Sequence, residues 1–291
     1  MIELLREPSF LSAGIEVGML RLDLIHPIVS GNKVFKLNYY LKEAAEIGKN
    51  KIVTTGGLFS NHLHAAAFAA RQQGLDCVGL LKGKKPIELS PTLLDCLNMG
   101  MQLEWIEEFP DETAQSGWIE QHFPEALFIP QGGKAAPGIR GAADIMHIPG
   151  VENFDTIFAA CGTGTMGAGL VLGKQKHQRI HLISVLKNNY SVIDDICNLL
   201  GTENLELNDC RIDFSYHLGG YAKKSTVLFN SMNDFFMKYK IPTDFVYTGK
   251  VIHAFYECVG NGTFKKNERV LIIHSGGIQG NRSLTRQELI F

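Results

Sequence analysis

Short runs of apolar and β-branched residues, at 51–55, 76–80, 127–129, 156–160, 180–186 and 270–274, alternate along the chain with longer stretches of helical periodicity. Alternation of this kind predicts an α/β fold of open, twisted, mainly parallel sheets with helices flanking both faces. Glycines follow several of the predicted strands: Gly56-Gly57, Gly132-Gly133, residues 162–167, and Gly276-Gly277. They fall at the carboxyl edge, where open α/β sheets place their ligands, so the glycines mark one candidate pocket. Between the first and second glycine pairs lie two or three strand–helix units and the turn-rich stretch 82–91, enough for a smaller layer of its own. The expected organisation is therefore a large domain of residues 1–47 and 132–291, interrupted by a small domain of residues 48–131.

Composition narrows this picture. A chain of 291 residues with 45% hydrophobic content can bury a large core in one large or two modest domains. A net charge of -2 without a long basic run argues against a nucleic-acid partner. Cys77, Cys96, Cys161, Cys197, Cys210 and Cys258 are scattered, with no CxxC or Cys/His pairing at zinc-ligand spacing. Reduced thiols and no metal are expected. The first ten residues carry Glu3, Arg6, Glu7 and Pro8 and lack the pattern of a signal peptide, and no apolar run approaches the roughly 18 residues of a membrane-spanning helix. A soluble, cytoplasmic protein without a membrane partner is the expectation.

Three segments carry candidate chemistry. The run from Thr156 through Gly162, Thr163, Gly164, Thr165, Met166 and Gly167 reads as strand, glycine loop and helix, which aims backbone N–H groups and a helix N-terminus at an anion, naturally a phosphate. Its spelling also fits GxGxxG, but a dinucleotide site needs an acid after the next strand, and Lys187-Asn188-Asn189 stands there. No Gly-Lys-Ser/Thr closes a Walker loop, and glycines that merely permit tight packing remain an alternative.

The second segment, Gly31-Asn32-Lys33-Val34-Phe35-Lys36-Leu37, opens a helix with two lysines three apart on one face. Neighbouring ammonium groups lower each other's pKa, which favours the neutral amine that forms a Schiff base; a solvated basic turn is the structural alternative. In the third, Ser60 and Asn61 precede an alanine-rich helix and read as an N-cap pair, a purely structural role being sufficient. His62 and His64 lack the i, i+4 spacing of a helical metal pair.

Taken together, these segments resemble the 1-aminocyclopropane-1-carboxylate deaminase and D-cysteine desulfhydrase family, within the tryptophan synthase β-like (fold type II) pyridoxal-phosphate enzymes. The likeness covers nearly the whole chain. It implies pyridoxal 5'-phosphate in the cleft between two domains, a small amino-acid substrate and a homodimer. In the GNK-x-x-K-L segment the first lysine, Lys33, is implied to be the Schiff-base residue, with Lys36 beside the phosphate. In GG-x-x-SN, Asn61 is implied to meet the pyridoxal 3'-oxygen and Ser60 the substrate carboxylate; His62 stands where the family usually has Gln. Residues 162–167 match the phosphate loop. Gly219-Gly220-Tyr221-Ala222-Lys223 and Val246-Tyr247-Thr248-Gly249-Lys250 match segments that bring Tyr221 and Tyr247 to the substrate. Ile273-His274-Ser275-Gly276-Gly277 resembles the closing segment beside the pyridine nitrogen.

Departures from the pattern point within the family. Cyclopropane deaminases typically carry Glu after the tyrosine of VY-x-GK and Leu between His and Gly-Gly, whereas this chain has Thr248 and Ser275. A hydroxyl against the pyridine nitrogen cannot keep it protonated as a carboxylate would, so the ring draws electrons less strongly. Opening a cyclopropane asks more of that ring than expelling a thiolate does. The expectation is a D-cysteine desulfhydrase-like elimination giving pyruvate, sulfide and ammonia. The rivals are a cyclopropane deaminase, another D-amino-acid lyase and a catalytically silent pyridoxal-phosphate-binding protein. The chain is also shorter than usual for the family.

Overall fold

The computed structural model describes residues 1–29, 31–107, 112–205, 209–284 and 288–291. Among the described residues ten strands build two sheets. The larger contains β1 (Ile2–Leu5), β2 (Glu16–Arg21), β7 (Thr156–Cys161), β8 (Arg179–Ser184), β9 (Cys210–Asp213) and β10 (Arg269–His274) in the order β1-β2-β10-β7-β8-β9. Only β1 runs antiparallel to its neighbour. The smaller sheet is wholly parallel, with β3 (Lys51–Thr55), β4 (Asp76–Lys82), β5 (Met101–Ile106) and β6 (Ala126–Ile129) in the order β5-β4-β3-β6.

All six predicted strands form, and four unpredicted ones join them. Every residue of β7 is buried, as expected of a central strand covered on both faces. The unpredicted β1, β5 and β9 lie at sheet edges, where exposed and half-buried positions break up the buried run. β2 escaped prediction because Gly18 interrupts its apolar run; a Cβ there would lie 2.6 Å from the Phe154 ring.

Helices α1 (Pro8–Ala13), α9 (Thr226–Tyr239) and α10 (Thr248–Gly260) cover one face of the larger sheet, where Phe10, Phe235 and Phe255 pack against Phe158 and Ile272. On the other face, α6 (Ala136–Ala143), α7 (Thr165–Gly173) and α8 (Val192–Leu200) bury Ile139, Leu170 and Ile196 against Ile157, Leu182 and Ile273. The smaller sheet is covered by α2 (Asn32–Glu46), α3 (Asn61–Gln73) and α4 (Pro91–Asn98) on one side, and by Ile119 of α5 (Glu112–His122) on the other. The six cysteines lie buried as free thiols. Among the described residues no helix is long and apolar enough to cross a membrane.

Helix α2 touches both sheets' layers. Its Leu37 and Tyr40 pack with Ile52 and Leu63 of the smaller layer, while Phe35 packs against the larger core. The backbones of α2 and α6 meet directly: a Cβ on Gly141 would sit 2.1 Å from the Phe35 carbonyl oxygen and 2.9 Å from Lys36 Cα. One layer further, a Cβ on Gly169 of α7 would sit 2.3 Å from Ala142 Cβ. Small residues thus stack α2, α6 and α7 with nothing larger than a methyl group between them at these two contacts.

Adding a methyl group at Gly141 must therefore push α2 away from α6. Gly141→Ala is expected to cost about 1–3 kcal/mol of stability, the usual penalty of overpacking; urea unfolding measures the loss.

Candidate active site

Four strand ends converge on one cleft. It is lined by Asn32, Lys33 and Lys36 of α2, Gly57 to His62 at the start of α3, Gln131 and Gly132 after β6, Cys161 to Gly167 after β7, Tyr221, Tyr247, and Ser275 after β10. Not every residue in those spans reaches it: Thr165 and Thr248, expected at the cofactor, are fully buried and stand outside the lining. Thr165 instead meets the Thr163 hydroxyl at 3.1 Å, and the Thr248 N–H donates to Asp244 Oδ1 at 2.8 Å. The other predicted residues, Lys33, Lys36, Ser60, Asn61, His62, Gly162, Thr163, Gly164, Met166, Gly167, Tyr221, Tyr247 and Ser275, are brought together. A separate cavity of about 240 Å³ lies at the amino-terminal edge of the larger sheet, around His181 and Glu268, and shares no residue with this cleft.

The position of Lys33 follows from Gly31. This residue has a φ of 76°, and a Cβ on it would fall 1.8 Å from the Ser275 carbonyl oxygen, so only glycine lets α2 begin hard against the end of β10. The Gly31 N–H donates to the Leu22 carbonyl at 2.9 Å and the Asn32 N–H to that of Ser275 at 3.3 Å. Lys33 lies in the first turn, its Nζ 5.6 Å from the centre of the Tyr247 ring. One turn on, Lys36 Nζ donates to the Gly132 carbonyl at 3.1 Å.

Burial, more than mutual repulsion, sets the charge on these amines. Desolvation lowers the Lys33 pKa to about 8, opposed by the carboxylate of Asp244. Lys36 is lowered to about 7, first by burial and then by Lys33. The expected mutual lowering is thus secondary for Lys36, and for Lys33 burial is the cause. The same environment pushes His62 down to about 3, by burial and then by both lysines, so its ring is neutral.

At the start of α3, Ser60 caps the helix as predicted, its Oγ accepting from the Leu63 N–H at 3.2 Å. The hydroxyl proton stays available for an anion in the cleft. Asn61 donates weakly to the Gly277 carbonyl at 3.5 Å, and its buried Oδ1 has no partner. The tautomer of His62 follows from its neighbour. Thr54 gives its only hydroxyl proton to the Ile129 carbonyl at 2.7 Å, so it must accept from His62 Nε2 at 2.9 Å, leaving Nδ1 with a lone pair.

Tyr221 and Tyr247 meet edge to face, with ring centres 6.3 Å apart and their hydroxyls hydrogen-bonded. Burial raises both pKa values, so each phenol keeps its proton and can only donate it. Sequence reasoning missed what holds them. Asp244, fully buried, accepts from the N–H groups of Val246, Tyr247 and Thr248 at 3.0, 2.8 and 2.8 Å and so fixes the start of α10. An Asp a few residues ahead of a helix was the legible signal. Asn189 was also missed: its Nδ2 donates to the Gly162 carbonyl at 3.2 Å and steadies the glycine loop. His274 accepts from the Gly276 N–H at Nδ1 and donates from Nε2 to the Pro242 carbonyl at 2.7 Å. Its Nδ1 also lies 3.5 Å from Asp23 Oδ1.

A model of the pyridoxal-phosphate dependent enzyme family matches residues 5–276 of the chain. The chain belongs to that family. A Thermotoga maritima protein that carries the provisional name 1-aminocyclopropane-1-carboxylate deaminase is 30% identical over 92% of this chain and 90% of its own length. A Pyrococcus furiosus protein of the same provisional name is 29% identical over 92% of this chain and 86% of its own. A solved 1-aminocyclopropane-1-carboxylate deaminase homologue superposes with a TM-score of 0.80 and 27% identity, covering 97% of this chain and 90% of that one. A serine racemase from Dictyostelium discoideum shares only the fold, at 16% identity and a TM-score of 0.65 over 95% of this chain and 93% of its own. The chain is a pyridoxal-phosphate-dependent lyase or deaminase of the cyclopropane deaminase group, and pyridoxal 5'-phosphate is its cofactor.

The residues present fit that cofactor. Lys33 offers a buried amine, and Asn61 Oδ1 is a buried acceptor lacking a donor. Gly164, with a φ of 81°, caps α7, whose first amides have no carbonyl one turn back and face the cleft near the Lys36 ammonium.

Because only the neutral amine condenses with an aldehyde, cofactor-free enzyme should reload faster as Lys33 loses its proton. The reloading rate is expected to climb about tenfold per pH unit below a pH of about 8 and to level off above it; rapid mixing followed by absorbance checks this, and a flat profile contradicts it.

Proposed function

We propose that the enzyme eliminates the β-substituent of a small amino acid, with D-cysteine giving pyruvate, sulfide and ammonia. We place the reaction in the cytoplasm, in a homodimer whose small domain, residues 48–131, closes over the bound substrate. The observation that carries this reading is that, among the described residues, no carboxylate lines the cleft, where Ser275 is present. Bound pyridoxal phosphate supplies an aldehyde that takes up the substrate amine and a ring that accepts electron density from Cα. Without a carboxylate to hold the ring nitrogen protonated, that demand is best met when negative charge leaves with the substrate's own sulfur.

The chain's residues divide the remaining work. Lys33 carries the cofactor at rest and, once free, its neutral Nζ takes the Cα proton. Ser60 donates its hydroxyl to the substrate carboxylate, joined by the free amides at the start of α3. As the Cβ–S bond breaks, its electron pair stays on sulfur, and Tyr247, paired with Tyr221, donates a hydrogen bond to the departing thiolate. The raised pKa values keep both phenols protonated, so they serve as hydrogen-bond donors and not as bases. His62 presents a neutral acceptor on the same wall, suited to a donor group on the substrate.

Ring opening of the cyclopropane amino acid is the second reading, favoured by the provisional names of the Thermotoga and Pyrococcus relatives. Purified enzyme offered each amino acid separately distinguishes them. Sulfide and ammonia release from D-cysteine is expected to exceed ammonia release from the cyclopropane substrate, and the reverse order overturns the preference. Lys33→Ala is expected to abolish both the absorbance of the lysine-bound cofactor and turnover; a variant with normal turnover removes Lys33 from its role.

A further inference from the structure

Helix α10 begins beside the cleft with Tyr247 and three residues later carries Lys250, whose side chain is fully buried and does not line the cleft. Its Nζ donates to two backbone carbonyls from different parts of the chain, Val185 at 3.1 Å and Gly220 at 2.6 Å. Val185 follows β8, and its N–H donates to the Cys161 carbonyl at 3.0 Å, at the root of the glycine loop. Gly220 immediately precedes Tyr221. One ammonium therefore joins the root of the phosphate loop to the segment that presents an active-site tyrosine.

That segment needs an external tie. Leu218, Gly219, Gly220 and Ala222 all have positive φ, at 47°, 94°, 110° and 51°, and two of them are not glycine. Non-glycine residues persist in this region only where their surroundings hold them. Its backbone N–H groups bond locally: Gly219 to His217 Nδ1, Gly220 to the His217 carbonyl and Lys223 to the Gly220 carbonyl. Leu218 rests on the apolar cluster of Phe245 and Val246, and Lys250 adds the charged bond at the residue next to Tyr221.

We propose that Lys250 is a positioning residue for the reaction, acting through Tyr221 by clamping the Gly220 carbonyl to the end of β8. Half of Tyr221 is exposed to solvent, so packing alone does not confine its ring, while its hydroxyl must meet Tyr247. An apolar residue in place of Lys250 frees two carbonyls at once and lets the segment leave. The inference rests on Tyr221 serving in the reaction proposed above.

Two measurements on the cofactor-loaded enzyme test it. In Lys250→Met, hydrogen exchange at residues 217–224 is expected to quicken tenfold or more, with α3 and β7 unchanged. A general loss of stability would instead quicken exchange throughout and overturns the assignment. With whichever substrate is turned over, Lys250→Met is expected to lower kcat tenfold or more, and to lower it no further when combined with Tyr221→Phe. Additive losses in the double variant overturn the proposal while leaving the role of Tyr221 intact. A Tyr221→Phe enzyme with normal turnover overturns both. Should Lys250→Met fail to yield loaded enzyme, Lys250→Gln, which keeps one donor, is expected to show a smaller loss and the same lack of additivity; failure of that variant also to bind cofactor assigns Lys250 to stability alone and ends the proposal.

Discussion

The direct contact of three helix backbones, α2 on α6 on α7, sets the distance on which the chemistry depends. Lys33 and Lys36 ride on α2, and the phosphate-binding amides begin α7. Gly141 and Gly169 remove the side chains that would otherwise separate these helices, so the amine and the anion cradle are spaced by backbone contact. Close-packed backbone has little freedom to yield, which makes this spacing more rigid than one set by long side chains. Gly31 completes the arrangement by seating the first turn of α2 against the end of β10, which belongs to the same sheet as the strand that feeds α7.

Within that frame, desolvation does most of the electrostatic work. It leaves Lys33 near the point where a neutral amine is available at physiological pH, holds His62 neutral, and keeps both tyrosines protonated. Acid and base roles are thereby separated without a carboxylate in the cleft. The two fully buried charges that stand behind the site, Asp244 and Lys250, are each satisfied by backbone groups of the segments that carry the tyrosines. Burying such charges is costly unless they are well hydrogen-bonded, and here the bonds also fix functional loops.

Much of this was legible along the chain, for identifiable reasons. Central strands such as β3, β7 and β10 are buried on both faces and therefore read as unbroken apolar runs. Strand-end glycines and the capping serine at residue 60 are local signals whose meaning does not depend on distant residues. β5 and β9 were illegible because polar residues interrupt these edge strands, β1 because it is only four residues long, and β2 because its glycine serves Phe154, far away in sequence. Thr165 and Thr248 show a limit of motifs. Each sits inside a matching motif, yet a motif gives a residue's place in the chain and not the direction of its side chain, and both point into the protein.

The sequence by itself determined the alternation of strands and helices, the glycine-edged carboxyl ends, the two lysines one turn apart and the membership of a cofactor family, because each is written in neighbouring residues. Only the tertiary structure decided that the Lys33 pKa falls through burial, that His62 must hold its proton on Nε2, that the tyrosines keep their protons, and that Asp244, Asn189 and Lys250 stand behind the site. These depend on contacts between residues tens to hundreds of positions apart, and on how much water those contacts exclude, neither of which a linear pattern records.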